Sequence, residues 1–179
     1  MSSEAISVFD IFKIGIGPSS SHTLGPWKAA LRMLQELKDS DQLQQVNAIR
    51  VLLYGSLAKT GRGHGTDIAI QLGLSGEDPV TMPTEQLESK LAAIAKQQRI
   101  LLAGKHEVIF NPAEDIEFLI TETLPFHSNA LSFLITLTDG TTLSHTYYSV
   151  GGGFVVKEGE IGANNESVDF PFPFSTAQE

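Results

Sequence analysis

The chain has 179 residues, of which 41% are hydrophobic and 18% charged, and its formal net charge at pH 7 is -9. These values indicate one globular domain over residues 1–179 and argue against disorder. The 12 Lys and Arg residues are scattered and no stretch approaches the roughly 20 apolar residues of a membrane span, so we expect a cytoplasmic protein that binds neither nucleic acid nor membrane.

The N-terminal half predicts helices around one strand. In chain order we expect a loop over 14–23, a helix over about 24–38, a strand over 46–54, a glycine-rich loop leading into a short helix over 56–76, and a helix over about 84–99. Thr23 is the predicted N-cap of the first helix, and Pro26 fits its first turn.

The C-terminal half predicts strands. They begin near residue 100 and continue over 108–110, 117–120, 131–138, 142–150 and 154–156. Asp139-Gly140 predicts a two-residue hairpin turn, because glycine tolerates a positive φ. We therefore expect an α+β fold with a mixed, mostly antiparallel sheet and helices packed on one side.

The first candidate loop holds three serines and a histidine before a predicted helix. Ser19, Ser20, Ser21, His22 and Thr23 lie where unpaired backbone N–H groups favour a carboxylate or a phosphate. From the residue types alone, the favoured interpretation is a capping loop with a solvated His22.

The second candidate loop is the glycine-dense segment 55–67, which contains His64. Its glycines allow close approach of backbone to a ligand. It matches neither the nucleotide P-loop pattern nor the dinucleotide-binding pattern. A tight turn with His64 in solvent and a ligand-binding loop are equally consistent with the residues.

Two further segments join predicted strands. His127 and Asn129 lie in segment 124–130, where a hydrogen-bonded packing histidine is the simpler interpretation. Gly151-Gly152-Gly153 predicts either a bulge or a close backbone approach to a ligand. His106 and His145 are interpreted as surface residues or as hydrogen-bonded residues of the sheet, and no metal-binding spacing is present.

Several long motifs resemble, in order, the beta domain of iron-sulfur L-serine dehydratases. They are Ser7–Phe12, Gly17–Thr23, Gly55–Ala58 with Thr60–His64, and Tyr147–Phe154. The tail Phe170–Ser175 resembles the stretch that leads toward the next domain of such enzymes. The resemblance spans nearly the whole chain.

The resemblance implies an L-serine ammonia-lyase that converts L-serine into pyruvate and ammonia, in amino-acid catabolism and gluconeogenesis. It also implies a [4Fe-4S] cluster whose cysteine ligands belong to a companion alpha domain or subunit; this chain itself contains no cysteine. The isolated chain is therefore expected to be inactive, whether it is a natural subunit or a piece of a longer enzyme. We expect a homodimer.

The resemblance further implies roles for the loop residues. His22 and His64 would transfer protons, His127 would orient the substrate, and the iron of the cluster would assist loss of the β-hydroxyl. The substrate-binding set would be Ser19, Ser20, Ser21, Thr23, His127, Asn129, Gly151, Gly152 and Gly153. Which histidine is the general base is left open, as is serine against threonine as substrate, although the resemblance favours L-serine.

Two other interpretations compete with the lyase. The chain also resembles the allosteric substrate-binding domain of some D-3-phosphoglycerate dehydrogenases, which implies a regulatory module that binds small anions or amino acids without catalysis. A self-contained structural domain fits the ordered motifs least well.

Overall fold

The computed structural model of the chain describes residues 14–161, so the motifs Ser7–Phe12 and Phe170–Ser175 lie outside the described residues. A π-helical turn, Ser20–Leu24, leads into the first helix. The helices are α1 (Gly25–Asp39), α2 (Gly55–Thr60), α3 (Thr66–Leu74), α4 (Leu87–Gln97) and α5 (Pro112–Asp115). Short 3-10 turns cover Leu43–Gln45, Gly61–His64, Thr84–Gln86 and Glu158–Glu160.

Seven strands form one sheet within the described residues. They are β1 (Val46–Tyr54), β2 (Arg99–Leu102), β3 (His106–Ile109), β4 (Ile116–Leu119), β5 (Asn129–Leu137), β6 (Thr142–Gly151) and β7 (Phe154–Lys157). The strand order is β2-β3-β1-β5-β6-β7, and β4 also pairs with β1. Strands β3 and β4 run parallel to β1 and the other pairs are antiparallel, which confirms the mixed, mostly antiparallel α+β class.

The main core lies between one face of the sheet and the helices. Strand β1 turns Ile49, Val51 and Leu53 into it at alternate positions, as a strand with one buried face requires. Helix α1 contributes Leu34 and Leu37 from its apolar stripe. The opposite sheet face carries a smaller cluster centred on Tyr54, Ala130 and Tyr148.

The glycine-dense segment after β1 differs from its prediction as a loop. Gly55, at φ +53°, turns the chain out of β1, and Gly65, at φ +65°, closes the 3-10 turn before α3. Between these glycines, Ser56–Thr60 is a helical run that contains no glycine or proline. The positive-φ positions thus lie at the ends of the helical pieces, where glycine is favoured.

Two local predictions were wrong in detail. Thr23 does not cap α1, whose N-cap residue is Leu24 and has no side-chain capping bond. Ser19 instead caps the preceding π-helical turn, where its Oγ accepts the His22 N–H at 3.1 Å. The β5–β6 hairpin loop has three residues, 138–140, since the Leu137 N–H donates to the Thr141 carbonyl. Gly140 still supplies the predicted positive φ, at +86°. Within residues 14–161, no helix combines the length and apolar character that crossing a bilayer requires.

Candidate active site

The serine loop is fixed against the end of β6. The Ser149 hydroxyl, fully buried, donates to the Ser21 carbonyl at 2.7 Å. A Cβ atom at Gly25 would lie 1.9 Å from the Ser149 Oγ, so glycine permits this close approach. The loop and the start of α1 are therefore held in one place by β6.

His22 is hydrogen-bonded at both ring nitrogens. Its Nδ1 lies 2.9 Å from the Ser21 Oγ, and its Nε2 lies 2.9 Å from the Ser56 Oγ in the first turn of α2. Partial burial, and then the neighbouring His64, hold the pKa of His22 below its usual value. The neutral imidazole is thus favoured near neutral pH.

His64 is held on one side and open on the other. Its Nδ1 lies 2.9 Å from the Thr60 carbonyl oxygen, which only accepts, so Nδ1 carries the proton. Its Nε2 has no hydrogen-bond partner among residues 14–161, and in the neutral ring it carries a lone pair. The His64 and His22 ring centroids lie 4.9 Å apart at an interplanar angle of 37°.

The segment around His127 lies beside α2. The Ser56 N–H donates to the Ser128 carbonyl at 2.8 Å, and the Asn129 N–H donates to the His127 Nδ1 at 3.1 Å. In the neutral His127 ring the proton is therefore on Nε2, which makes that atom a donor. The Asn129 amide donates to the Ser149 carbonyl at 3.3 Å, so this segment joins the same network as the serine loop.

The glycine run has a structural explanation in the β6–β7 turn. Gly151 pairs with Phe154, and Gly152 and Gly153 form the turn with φ of +57° and +72°. A Cβ at Gly153 would lie 2.8 Å from the Leu24 Cδ2, so this glycine packs against the start of α1. Among the described residues, no hydrogen bond joins Gly151 or Gly152 to the serine loop. Their role as carboxylate ligands stays a prediction.

The predicted substrate-binding hydroxyls differ in their availability. Ser19 caps the loop, Ser21 contacts His22, and the buried Thr23 donates to the His64 carbonyl. Ser20 is exposed, and its hydroxyl makes no hydrogen bond within the described part of the chain. It borders a cleft of about 200 Å³ between segment 15–20 and Leu24.

Four residues of this network were not among the predicted site residues. They are Ser56, Thr60, Thr66 and Ser149. Ser56 belongs to a motif that carried the resemblance, but its partner His22 is 34 residues away in the sequence. Local patterns therefore gave no signal for its hydrogen bond.

The chain offers no ligand set that fits an iron-sulfur cluster. It contains no cysteine. Among residues 14–161, no three His, Asp or Glu side chains lie in an arrangement that could hold a metal ion.

Comparison with known proteins points to one family. The family model described as serine dehydratase beta chain matches residues 7–160. The L-serine dehydratase of Streptomyces coelicolor is 44% identical over 179 residues, which cover 98% of this chain and 39% of the relative. L-serine dehydratase 1 of Escherichia coli K12 is 44% identical over 177 residues, covering 97% of this chain and 38% of the relative. The chain spans about two fifths of the length of these relatives, and it belongs to the serine dehydratase beta chain family.

Proposed function

We propose that this chain is the beta part of an L-serine dehydratase, which converts L-serine into pyruvate and ammonia. The family match and the names of the relatives support this reaction. Because the chain covers 38–39% of those relatives, we place the rest of the active site in a companion alpha domain or subunit. The observation that carries the proposal is the open Nε2 of His64 beside His22.

We assign the general base to His64. A base needs an unprotonated nitrogen that reaches the substrate. The Thr60 carbonyl keeps the proton of neutral His64 on Nδ1, so Nε2 is ready to accept one. His22 already contacts a serine hydroxyl at each ring nitrogen. Its proposed role is to transfer protons next to the base.

The reaction begins with transfer of the serine Cα proton to His64 Nε2. Loss of the β-hydroxyl as water leaves 2-aminoacrylate, which tautomerises to an imine, and water hydrolyses the imine to pyruvate and ammonia. Histidine is the side chain most often used for proton transfer in enzymes, which suits His64 to the first step. We place the [4Fe-4S] cluster in the companion part, because this chain has no cysteine to hold it.

We assign the substrate carboxylate to the serine loop. The Ser20 hydroxyl is open beside the cleft, and the His127 Nε2–H is a second donor from the neighbouring segment. Ser19, Ser21, Thr23 and Asn129 shape this region through their own hydrogen bonds. The amides of Gly151–Gly153 complete the proposed set.

The broader setting of the proposal follows from the same reaction. We propose a single domain over residues 1–179 in a cytoplasmic homodimer that supplies pyruvate for gluconeogenesis from amino-acid catabolism. Strands β2 and β7 end the sheet order, and such end strands carry backbone groups that can pair with another chain.

A chimera tests the proposed function. The matching 39% of the Streptomyces coelicolor relative is replaced by this chain, and pyruvate formation from L-serine is compared with that of the chain alone. We expect turnover from the chimera and none from the chain alone. Turnover by the chain alone would overturn the two-part site.

A folded chimera that binds serine without turning it over would instead favour the regulatory binding module. Circular dichroism establishes folding, and calorimetry with L-serine establishes binding.

A further inference from the structure

Two threonine hydroxyls cross between the loops that carry the histidines. Thr23, which follows His22, donates to the His64 carbonyl at 2.8 Å. Thr66, two residues after His64, donates to the His22 carbonyl at 2.5 Å. Each histidine is therefore tied by its backbone to a threonine from the other histidine's segment.

Both hydroxyls are shielded from water. Thr23 is 4% exposed and Thr66 is fully buried. A buried carbonyl or hydroxyl that loses its partner costs about 1–3 kcal/mol. The two bonds consequently resist exchange with solvent, and loss of either one leaves a buried polar group without its partner.

Glycines confine both threonine side chains. A Cβ at Gly17 would lie 2.2 Å from the Thr23 Cγ2, and a Cβ at Gly61 would lie 2.8 Å from the Thr66 Oγ1. A side chain at Gly17 or Gly61 would displace the threonine beside it. The two glycines therefore pack directly against the threonine side chains that form the hydrogen bonds.

We propose that Thr23 and Thr66 are positioning residues that form a reciprocal brace and hold the His22 and His64 rings in contact. The catalytic consequence rests on the proposed function, because it requires His64 to be the base. The brace itself concerns the geometry of this chain alone. The hydrogen bonds to the histidine carbonyls fix the position of each histidine backbone. The contacts of the ring nitrogens with Thr60 and Ser56 then fix the orientation of each ring.

Nuclear magnetic resonance of the full 179-residue chain tests the geometry. In the unaltered chain we expect a ring-to-ring nuclear Overhauser effect between His22 and His64, and slowly exchanging hydroxyl protons on Thr23 and Thr66. The exposed Thr142 serves as the fast-exchanging control. Rapid exchange of both buried hydroxyls would overturn the brace without any substitution.

Substitutions then test what the brace does. Thr66→Val keeps the shape and removes the hydroxyl, so we expect loss of the ring contact and a rise of the His22 pKa toward its usual value. Thr66→Ser restores the hydroxyl and should recover both. Thr136→Val, on β5 seven residues from Asn129, is the matched control. An unchanged ring contact and His22 titration in folded Thr66→Val would contradict the proposal.

The chimera separates the brace from the catalytic roles. We expect Thr66→Val to lower kcat about tenfold with little change in KM, and Thr66→Ser to restore it. Lost ring contact with unchanged kcat would uphold the brace and contradict the catalytic roles of the histidines. A retained ring contact would contradict the brace, whatever the turnover.

Discussion

His22 lies between two serine hydroxyls, Ser21 on Nδ1 and Ser56 on Nε2. A hydroxyl can donate or accept, so these contacts hold the ring plane while allowing its proton to move between the nitrogens. The Thr60 carbonyl only accepts hydrogen bonds, so in the neutral His64 ring the proton lies on Nδ1. The two histidines are therefore unequal: the neutral His64 ring has a fixed lone pair on Nε2, whereas the proton of His22 can lie on either ring nitrogen.

Removing the Ser56 hydroxyl should disturb His22 without touching His64. We expect Ser56→Ala in the chimera to lower kcat about tenfold, equivalent to about 1.4 kcal/mol, because one ring nitrogen loses its partner. Steady-state kinetics with L-serine measure this. Ser89→Ala is the control, since Ser89 bonds to the Gln86 carbonyl of the Thr84–Gln86 turn before α4. Equal kcat in both variants would remove Ser56 from the site.

The close contact between α1 and β6 depends on the absence of a side chain at Gly25. A Cβ at Gly25 would lie 2.6 Å from the Ser149 Cβ, whereas a Cβ at Gly63 would meet no heavy atom within 4 Å. Neither glycine has a positive φ, so backbone strain does not distinguish them. The two positions thus form a matched pair for steric contact.

Gly25→Ala should destabilise the chain by about 1–3 kcal/mol through overpacking. Gly63→Ala should leave stability within about 0.5 kcal/mol, as is usual for surface changes. Urea unfolding followed by circular dichroism compares them. Similar midpoints for both variants would show that α1 and β6 separate freely.

A cluster around Glu36 joins α1 to β6 and β7. Its carboxylate accepts from the Tyr147 hydroxyl at 2.8 Å and from the Lys157 ammonium at 2.5 Å. Burial opposes ionisation of Glu36, but these bonds outweigh it and hold its pKa below the usual value. His145 Nδ1 lies 3.1 Å from the carboxylate without hydrogen-bond geometry, and burial, then the Lys157 charge, lower its pKa.

Acid should destabilise the fold in two stages. His22 and His145 have lowered pKa values when folded, so the unfolded chain binds more protons and stability falls as the pH drops below about 6.5. The lowered pKa of Glu36 adds a further loss below about 4.5. Urea unfolding across this pH range measures both stages.

Glu36→Gln should weaken the lower stage, to which Asp78 and Asp139 also contribute through their lowered pKa values. It should deepen the upper stage, because the Glu36 charge no longer raises the pKa of the nearby His145. Stability that rises on acidification from pH 7 to 5 would contradict these assignments.

At the scale of the whole molecule, sequence patterns predicted the strands better than the site. The apolar run of β1 predicted the strand with its observed bounds, 46–54, because a buried strand has a local signature. The parallel pairing of β3 and β4 with β1 had no such signal. It depends on contacts between distant segments.

The site shows the same division between local and distant information. The motifs predicted His22 and His64 as site residues. The structure places their ring centroids 4.9 Å apart. The proposed choice of base depends on the contact between His64 and the Thr60 carbonyl. The proposed brace depends on hydrogen bonds of Thr23 and Thr66 to the other histidine's segment. Residue types indicate which groups are present, whereas tautomers follow from three-dimensional contacts.

In the proposed reaction, the Nε2 of His64 removes the substrate proton. His64→Asn tests it most directly, because the asparagine amide can replace Nδ1–H toward the Thr60 carbonyl while nothing replaces Nε2. His106→Gln is the control histidine, since it retains a donor toward the Val46 carbonyl. In the chimera we predict that His64→Asn lowers kcat by at least about 100-fold, as loss of a general base does, and that His106→Gln leaves it unchanged. A kcat for His64→Asn within about tenfold of the unaltered chimera would contradict the account.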